Sequence, residues 1–185
     1  MSDFDGGNLT RLTHHQSIVI SPAISYDKNR ILYTLIKKIR SRQYVYLYML
    51  NLSTKKSSLI SKRKGINSGA VFLPDDKHIA LTLSHSGDSE IYILNLNTKK
   101  LRRITKSRAP DVDPSIAADG KLMTFLSGRS GPAMVYTADP DGMNKKVKRV
   151  SFVGKFNATP RFSPDGKEMA FASSMAKSFD IFRIS

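Results

Sequence analysis

Five consecutive residues, Ser84-His85-Ser86-Gly87-Asp88, bring together nucleophile, base and acid side-chain types. A hydrolytic triad needs these groups on separate scaffold positions, so that each hydrogen bond is held from its own direction. A contiguous polar pentapeptide containing glycine folds as a hairpin loop instead, and the sequence assigns no catalytic residue. Gly128-Arg129-Ser130-Gly131-Pro132 has its glycines at the wrong spacing for a nucleophile elbow and reads as a turn. Asp3-x-Asp5-Gly6-x-Asn8 and Asp139-x-Asp141-Gly142-x-Asn144 supply oxygen ligands but lack the distal bidentate glutamate of a calcium loop. They are expected to be hairpin turns, with aspartate and glycine chosen for backbone geometry. His14-His15 has no third ligand nearby in sequence, so a solvated connection is expected rather than a zinc site. The 185 residues include no cysteine, which excludes disulfides and thiolate metal sites. No metal and no cofactor are expected.

Charge is the second chemical resource. Thirty Lys and Arg against fifteen Asp and Glu give a formal net charge of +15, which attracts anionic partners. Clusters occur at Lys37-Lys38-Ile39-Arg40-Ser41-Arg42, at Lys55-Lys56 and at Lys62-Arg63-Lys64. A longer belt comprises Lys99, Lys100, Arg102 and Arg103, then Lys145, Lys146, Lys148 and Arg149. Such residues on outer strands either keep sheet edges apart or form a perimeter that binds an anionic surface. Nucleic acid is the weaker of the polyanion readings, because exposed aromatics are not interleaved with the belt. No apolar run approaches membrane-spanning length, and the polar, acidic first residues are not expected to act as a signal peptide. A periplasmic location is expected if a leader has been removed, and a cytoplasmic one otherwise.

The elements that would position these groups follow from an internal repeat. Asp27, Asp75, Asp119 and Asp165 recur at intervals of 48, 44 and 46 residues, and Ile24, Phe72, Ile116 and Phe162 keep the same register. The clearest copy reads Ala158-Thr159-Pro160-Arg161-Phe162-Ser163-Pro164-Asp165-Gly166-Lys167-Glu168-Met169-Ala170-Phe171. Periods of this size filled with short strands predict propeller blades. Each unit opens with a strand, followed by a tight turn in which Asn29, Asp76 or a glycine takes positive φ. Second strands such as Ile79-Ala80-Leu81-Thr82-Leu83 are apolar at nearly every position, so burial on both faces is expected. Third strands repeat an aromatic at Tyr48, Tyr92, Tyr136 and Phe182, read as packing between blades. The outer strand is missing from the fourth unit, while Leu9-Thr10-Arg11-Leu12-Thr13 is an outer strand without a blade.

The expected fold is therefore all-β: a propeller of four four-stranded blades per chain, the N-terminal strand completing the last blade within the chain or across a dimer. It forms a single domain, 1–185, with units at 17–64, 65–110, 111–154 and 155–185 plus 1–16. The repeats resemble those of the TolB family, whose units read as a short strand, Ser-Pro-Asp-Gly-Lys, Ile-Ala-Phe, Ile-Tyr-Val-Met-Asp and Arg-Arg-Leu-Thr. The resemblance covers essentially the whole chain. It implies a protein-binding propeller of the bacterial Tol-Pal envelope system, which binds a peptidoglycan-associated lipoprotein. The family's six blades and amino-terminal α/β domain are not matched by these four units. An accessory propeller of a peptidase or other hydrolase is the alternative, and a polyanion-binding protein a third. Four blades can close alone, two chains can close an eight-bladed ring, or the chain can belong to a longer protein; the homodimer is favoured.

Propellers bind through loops around the central channel, where distant parts of the chain converge. The loops before each first strand hold Ser21, Asn67, Ser68 and Asp111, followed by Asp113, Asn157 and Thr159, with His14 and His15 at the approach. These are the candidate residues for binding a protein or peptide partner, an envelope lipoprotein among them.

Overall fold

The computed structural model describes residues 7–142, 146–175 and 178–185. Asp3, Asp5, Gly6, Asn144 and Lys145, which carry expectations above, lie outside the described residues. The described residues form four antiparallel sheets. The first contains β1 (Ile18–Ile24), β2 (Arg30–Ile39), β3 (Arg42–Asn51) and β4 (Ser57–Ser61); the second β5 (Asn67–Phe72), β6 (His78–Leu83), β7 (Glu90–Asn95) and β8 (Leu101–Arg103). The third contains β9 (Asp111–Ile116), β10 (Met123–Ser127), β11 (Met134–Ala138) and β12 (Lys148–Arg149). The fourth has three strands, β13 (Asn157–Phe162), β14 (Met169–Met175) and β15 (Ser178–Ile184). Within every sheet the strands lie in chain order, so the first strand of each unit is one edge. These first strands neighbour one another in sequence, β1 with β5, β5 with β9 and β9 with β13, which makes them the inner strands of an arc of propeller blades.

The turn that ends each inner strand is built by its aspartate. Asp165 Oδ1 accepts the Ser163 hydroxyl at 2.6 Å and the Lys167 amide at 3.1 Å, and Asp119 Oδ1 accepts the Lys121 amide at 2.9 Å. The residue after the aspartate takes positive φ in all four units: Lys28, Asp76, Gly120 and Gly166. This corrects the expectation for Asn29. Lys28 N donates to Ser25 O at 3.0 Å, as Gly166 N does to Ser163 O at 2.9 Å, so the hydrogen-bond register fixes the left-handed position whatever residue occupies it. Asp76 also joins two blades, because its carboxylate accepts the amides of Tyr26 at 2.9 Å and Asp27 at 2.7 Å.

Hydrophobic packing is divided into layers between blades, as a repeat architecture requires. Strand alternation sends Ile79, Leu81, Leu83, Tyr92 and Leu94 toward Leu32 and Leu47 of the first blade. Ala80, Ile91 and Ile93 face the other way, onto Phe125, Met123, Met134 and Tyr136 of the third. A smaller layer joins Leu126 and Val135 to Met169 and Phe171. The central second strands β6 and β10 are buried along nearly their whole length, but β14 alternates and β15 is mostly exposed. That departs from the expected two-sided burial, and its cause is an open face on the fourth blade. The face of the first blade turned away from the second is open at its inner strand: Ile24 is 54% exposed, whereas Phe72 and Ile116 at the same repeat position are 3% and 9% exposed.

Residues 9–13 form no strand, and Leu12 packs against the cluster of Tyr33, Leu35 and Leu50 on the first blade. The N-terminal segment does not complete the fourth sheet of its own chain, because the first and fourth blades are the two ends of the arc.

Candidate functional site

Each inner strand carries a bulge at one repeat position. Pairing to the second strand slips between Ile20 and Ala23, between Ser68 and Val71, across Val112 to Ser115, and between Ala158 and Arg161. Inside each slip sits a residue with positive φ: Ser21 at 53°, Gly69 at 59°, Asp113 at 57° and Thr159 at 48°. Three of the four are not glycine, and three are followed by proline, which cannot donate to the ladder and is tolerated where a bulge has already broken it. A bulge re-aims side chains. Here it does so at the same height on four adjacent inner strands, which lines up Ser21, Asp113 and Thr159 on the inner wall of the arc.

Electrostatics single out one pair on that wall. Arg161 Nη2 meets Asp113 Oδ1 at 2.9 Å, across the boundary between the third and fourth blades, and both side chains retain solvent exposure. Arg161 was not among the sequence candidates. The signal was present, since the equivalent positions are Ala23, Val71 and Ser115 and only this one is charged. At the turn end of the same wall a groove of about 420 Å³ is lined by Ala23, Ile24, Tyr26, Val71, Phe72 and Ile116 among others. Apolar walls beside an accessible ion pair suit an extended peptide with mixed charge.

The other candidates separate into distinct roles. Asn67, Asp111 and Asn157 open their inner strands and have 0% exposure, so no partner can touch them without unfolding the loop. Asn67 accepts from Ser61 Oγ at 2.6 Å and Arg63 N at 3.0 Å, and donates to Val45 O at 2.9 Å and Arg63 O at 2.7 Å. Asn157 donates to Val153 O and Ser173 Oγ, both at 3.1 Å. Asp111 receives Arg129 Nη2 at 2.6 Å; burial raises its carboxyl above the usual range, and the nearby Glu90 charge adds to that, against the pull of Arg129. These three hold the interblade loops rather than presenting them. Ser68 is half-buried beside the bulge. His15 lies away from the wall: its Nε2 is 2.8 Å from the Tyr33 hydroxyl, and its ring packs on Tyr33 and Tyr48 of the first blade. His14, next to it, is exposed.

The belt is partly committed to structure. Arg102 donates to the carbonyls of Pro140 and Asp141 on the next blade. Arg103 donates to Thr105 O at 2.8 Å and to the buried Glu90 carboxylate at 2.7 Å, and Lys99 Nζ reaches Leu96 O. Arg149 donates to Ser151 O and lies over the Phe152 ring. Lys100, Lys146 and Lys148 remain exposed. In the serine-histidine loop, Ser84 Oγ accepts from Ile66 N and Ser86 Oγ pairs with the Tyr92 hydroxyl, each at 2.8 Å. Burial, followed by the charges of Arg63 and Arg103, lowers the His85 pKa. These partners fit a folded hairpin loop.

Bulged inner strands, aspartate-built turns and layered interblade packing define a β-propeller with its candidate site on the inner wall. The TolB beta propeller domain model, PD40, matches residues 1–185, and the chain belongs to that family. A Tol-Pal system protein TolB from Francisella tularensis subsp. mediasiatica is 34% identical over 182 residues, covering 96% of this chain and 40% of that protein. The crystal structure of TolB from Acinetobacter baumannii superposes with a TM-score of 0.85 at 30% identity, over 97% of this chain and 44% of that one. The chain thus spans less than half the length of these relatives. An acylaminoacyl peptidase from Pyrococcus horikoshii, at 13% identity and a TM-score of 0.66, shares the fold alone.

Proposed function

We propose that this chain is a non-enzymatic protein-interaction module of the bacterial envelope, acting in a Tol-Pal type system from the periplasmic side. It binds a peptide or protein segment, an envelope lipoprotein by its family resemblance, along the inner wall of the arc. The observation that carries this reading is the register of left-handed bulges across four adjacent inner strands. That register holds Ser21, Asp113 and Thr159 in one row with the Asp113–Arg161 pair at an accessible blade boundary. A bulge repeated in every unit costs ladder hydrogen bonds in every unit, and the return is a set of polar side chains aimed at a common axis.

Titration calorimetry with the purified soluble domain of a peptidoglycan-associated lipoprotein tests it. Binding by the wild type is expected, weakened at least about tenfold by Arg161→Glu, or about 1.4 kcal/mol, and little changed by Lys100→Ala on the belt. Absence of binding by a folded wild type would overturn the partner. Unchanged affinity in Arg161→Glu would move the site off the inner wall.

A further inference from the structure

We propose that the interblade loops dock on a bilayer surface bearing anionic phospholipid headgroups, with Phe152 entering the headgroup layer and neighbouring cations meeting lipid phosphates. Three loops build this surface. Each is pinned at both ends by buried polar residues: Ser61 and Asn67, Thr105 and Asp111, Ser151 and Asn157. Ser61 Oγ donates to Asn67 Oδ1 at 2.6 Å, Thr105 Oγ1 accepts Ile91 N at 2.9 Å, and Ser151 Oγ accepts Val135 N at 2.8 Å. The five residues between the pins, 62–66, 106–110 and 152–156, are mostly exposed. Inner strands β5, β9 and β13 begin directly after these loops and lie side by side, so the loops emerge at one end of adjacent blades and at one height.

What they present there is apolar tips beside cations. The last residue of each loop is exposed: Ile66 at 40%, Pro110, and Phe156 at 46%. The first residues are Lys62, Lys106 and Phe152, and Phe152 is 73% exposed with the Arg149 guanidinium 5.0 Å from its ring centroid. All three loops lie between two described blades, so these exposures do not arise at either end of the chain. Lys62, Lys64, Lys106, Arg108 and Lys155 are exposed, and none enters an ion pair among the described residues. At the same end Glu90 and Asp111 are buried and held by Arg103 and Arg129, while Asp88 and Asp180 stay exposed.

A peptide is gripped by a groove, whereas a row of single apolar tips at one height, each beside a cation, meets a plane. Aromatic and aliphatic tips partition into the boundary between headgroups and acyl chains, and lysine and arginine stems carry their charges up to the phosphates. The opposite end of the sheets carries the turn aspartates, which an anionic surface repels, so the same field turns the loops toward the bilayer. The groove at the turn end of the inner wall stays open to solvent in that orientation.

Flotation of the 185-residue chain with phosphatidylcholine vesicles, with and without phosphatidylglycerol, tests the proposal. Binding is expected only when phosphatidylglycerol is present. Phe152→Ser, at a side chain already exposed, should weaken it at least about tenfold, and Lys62→Glu with Lys64→Glu should weaken it further. Lys56→Glu with Lys100→Glu changes the net charge equally at the turn end and should leave binding little changed. The chain has no tryptophan, so Phe152→Trp reports from one position, and its emission should shift to the blue on the same vesicles. A wild type that does not float would overturn the proposal and leave these loops to an acidic protein segment. Equal loss from both charge-reversed pairs, or unshifted emission from Phe152→Trp, would also overturn it, because net charge alone would then account for binding. The vesicles carry no lipoprotein and no substitution touches the inner-wall row, so the functional reading above stands or falls separately.

Discussion

Asp165 is fully exposed, yet its carboxyl lies below the usual carboxylate range, held there first by the Ser163 hydroxyl and then by the Lys167 amide. Asp27 is lowered in the same way by Ser25 and the Asn29 amide, while at Asp75 partial burial is outweighed by bonds from His78 and Lys77. A carboxyl depressed in the folded state stabilises fully above its unfolded pKa of about 3.9, and that stabilisation disappears as pH falls through the folded values. Thermal melts should therefore show the wild type losing stability below about pH 4, and Asp165→Asn, which keeps a turn-forming side chain, should lose less over the same interval. An equal slope in both would mean that this turn is not coupled to protonation. Asp111 acts in the opposite sense: its raised carboxyl contributes most at low pH and costs stability as pH rises toward neutrality. The turns were legible in the sequence because an aspartate recurs at the same repeat position in all four units, followed directly by glycine in the third and fourth. Their left-handed residue was not legible in the first unit. Asn29 tolerates positive φ better than Lys28, but the bond from Lys28 N to Ser25 O leaves no choice of position.

At the scale of the element, strand order, inner-strand limits and the four-fold register could be read from apolar runs and turn signals, since both are local. Inner strands end at Ile24, Phe72, Ile116 and Phe162 as the repeat indicates. The bulges escaped notice because a slipped register appears only in pairing with a second strand. The polar residues before them consequently looked alike, although Asn67 is buried and Ser21 is exposed. The distinction predicts different consequences on substitution. Asn67→Ala strips bonds from Ser61, Arg63 and Val45 inside a sealed loop, and is expected to cost about 2–4 kcal/mol, the range for a broken buried polar network. Ser21→Ala, at the solvent-facing bulge, should stay within about 0.5 kcal/mol. Urea unfolding with an unchanged slope measures both. A small effect at Asn67 would mean that water replaces its partners and that the loop is open to a ligand after all.

Across the whole molecule the excess charge is not spread evenly. The turns after the inner strands carry Asp27, Asp75, Asp76, Asp119 and Asp165, which balance their lysines. The opposite end of the sheets bears the long β2–β3 hairpin with exposed Lys37, Lys38, Arg40 and Arg42, and the interblade loop with exposed Lys62 and Lys64. Tyr44 and Tyr46 stack on each other beside these cations, with ring centroids 5.8 Å apart, so aromatics accompany basic residues there, as the exposed Phe152 accompanies Arg149 on the outer belt. Net charge was plain from composition; its polarity was not, because it depends on which end of a sheet each loop occupies. A field of this kind steers encounter more than it holds a complex. Reversing Lys37, Lys38 and Arg40 to glutamate should therefore slow association with an acidic partner about tenfold at low ionic strength, while leaving dissociation nearly unchanged. Raising salt to physiological strength, where the screening length is about 8 Å, should close most of that gap in surface-plasmon measurements. A dissociation rate that rises instead would place the hairpin inside the interface, and a rate insensitive to both changes would leave these cations the simpler task of keeping the open sheet ends of neighbouring molecules apart.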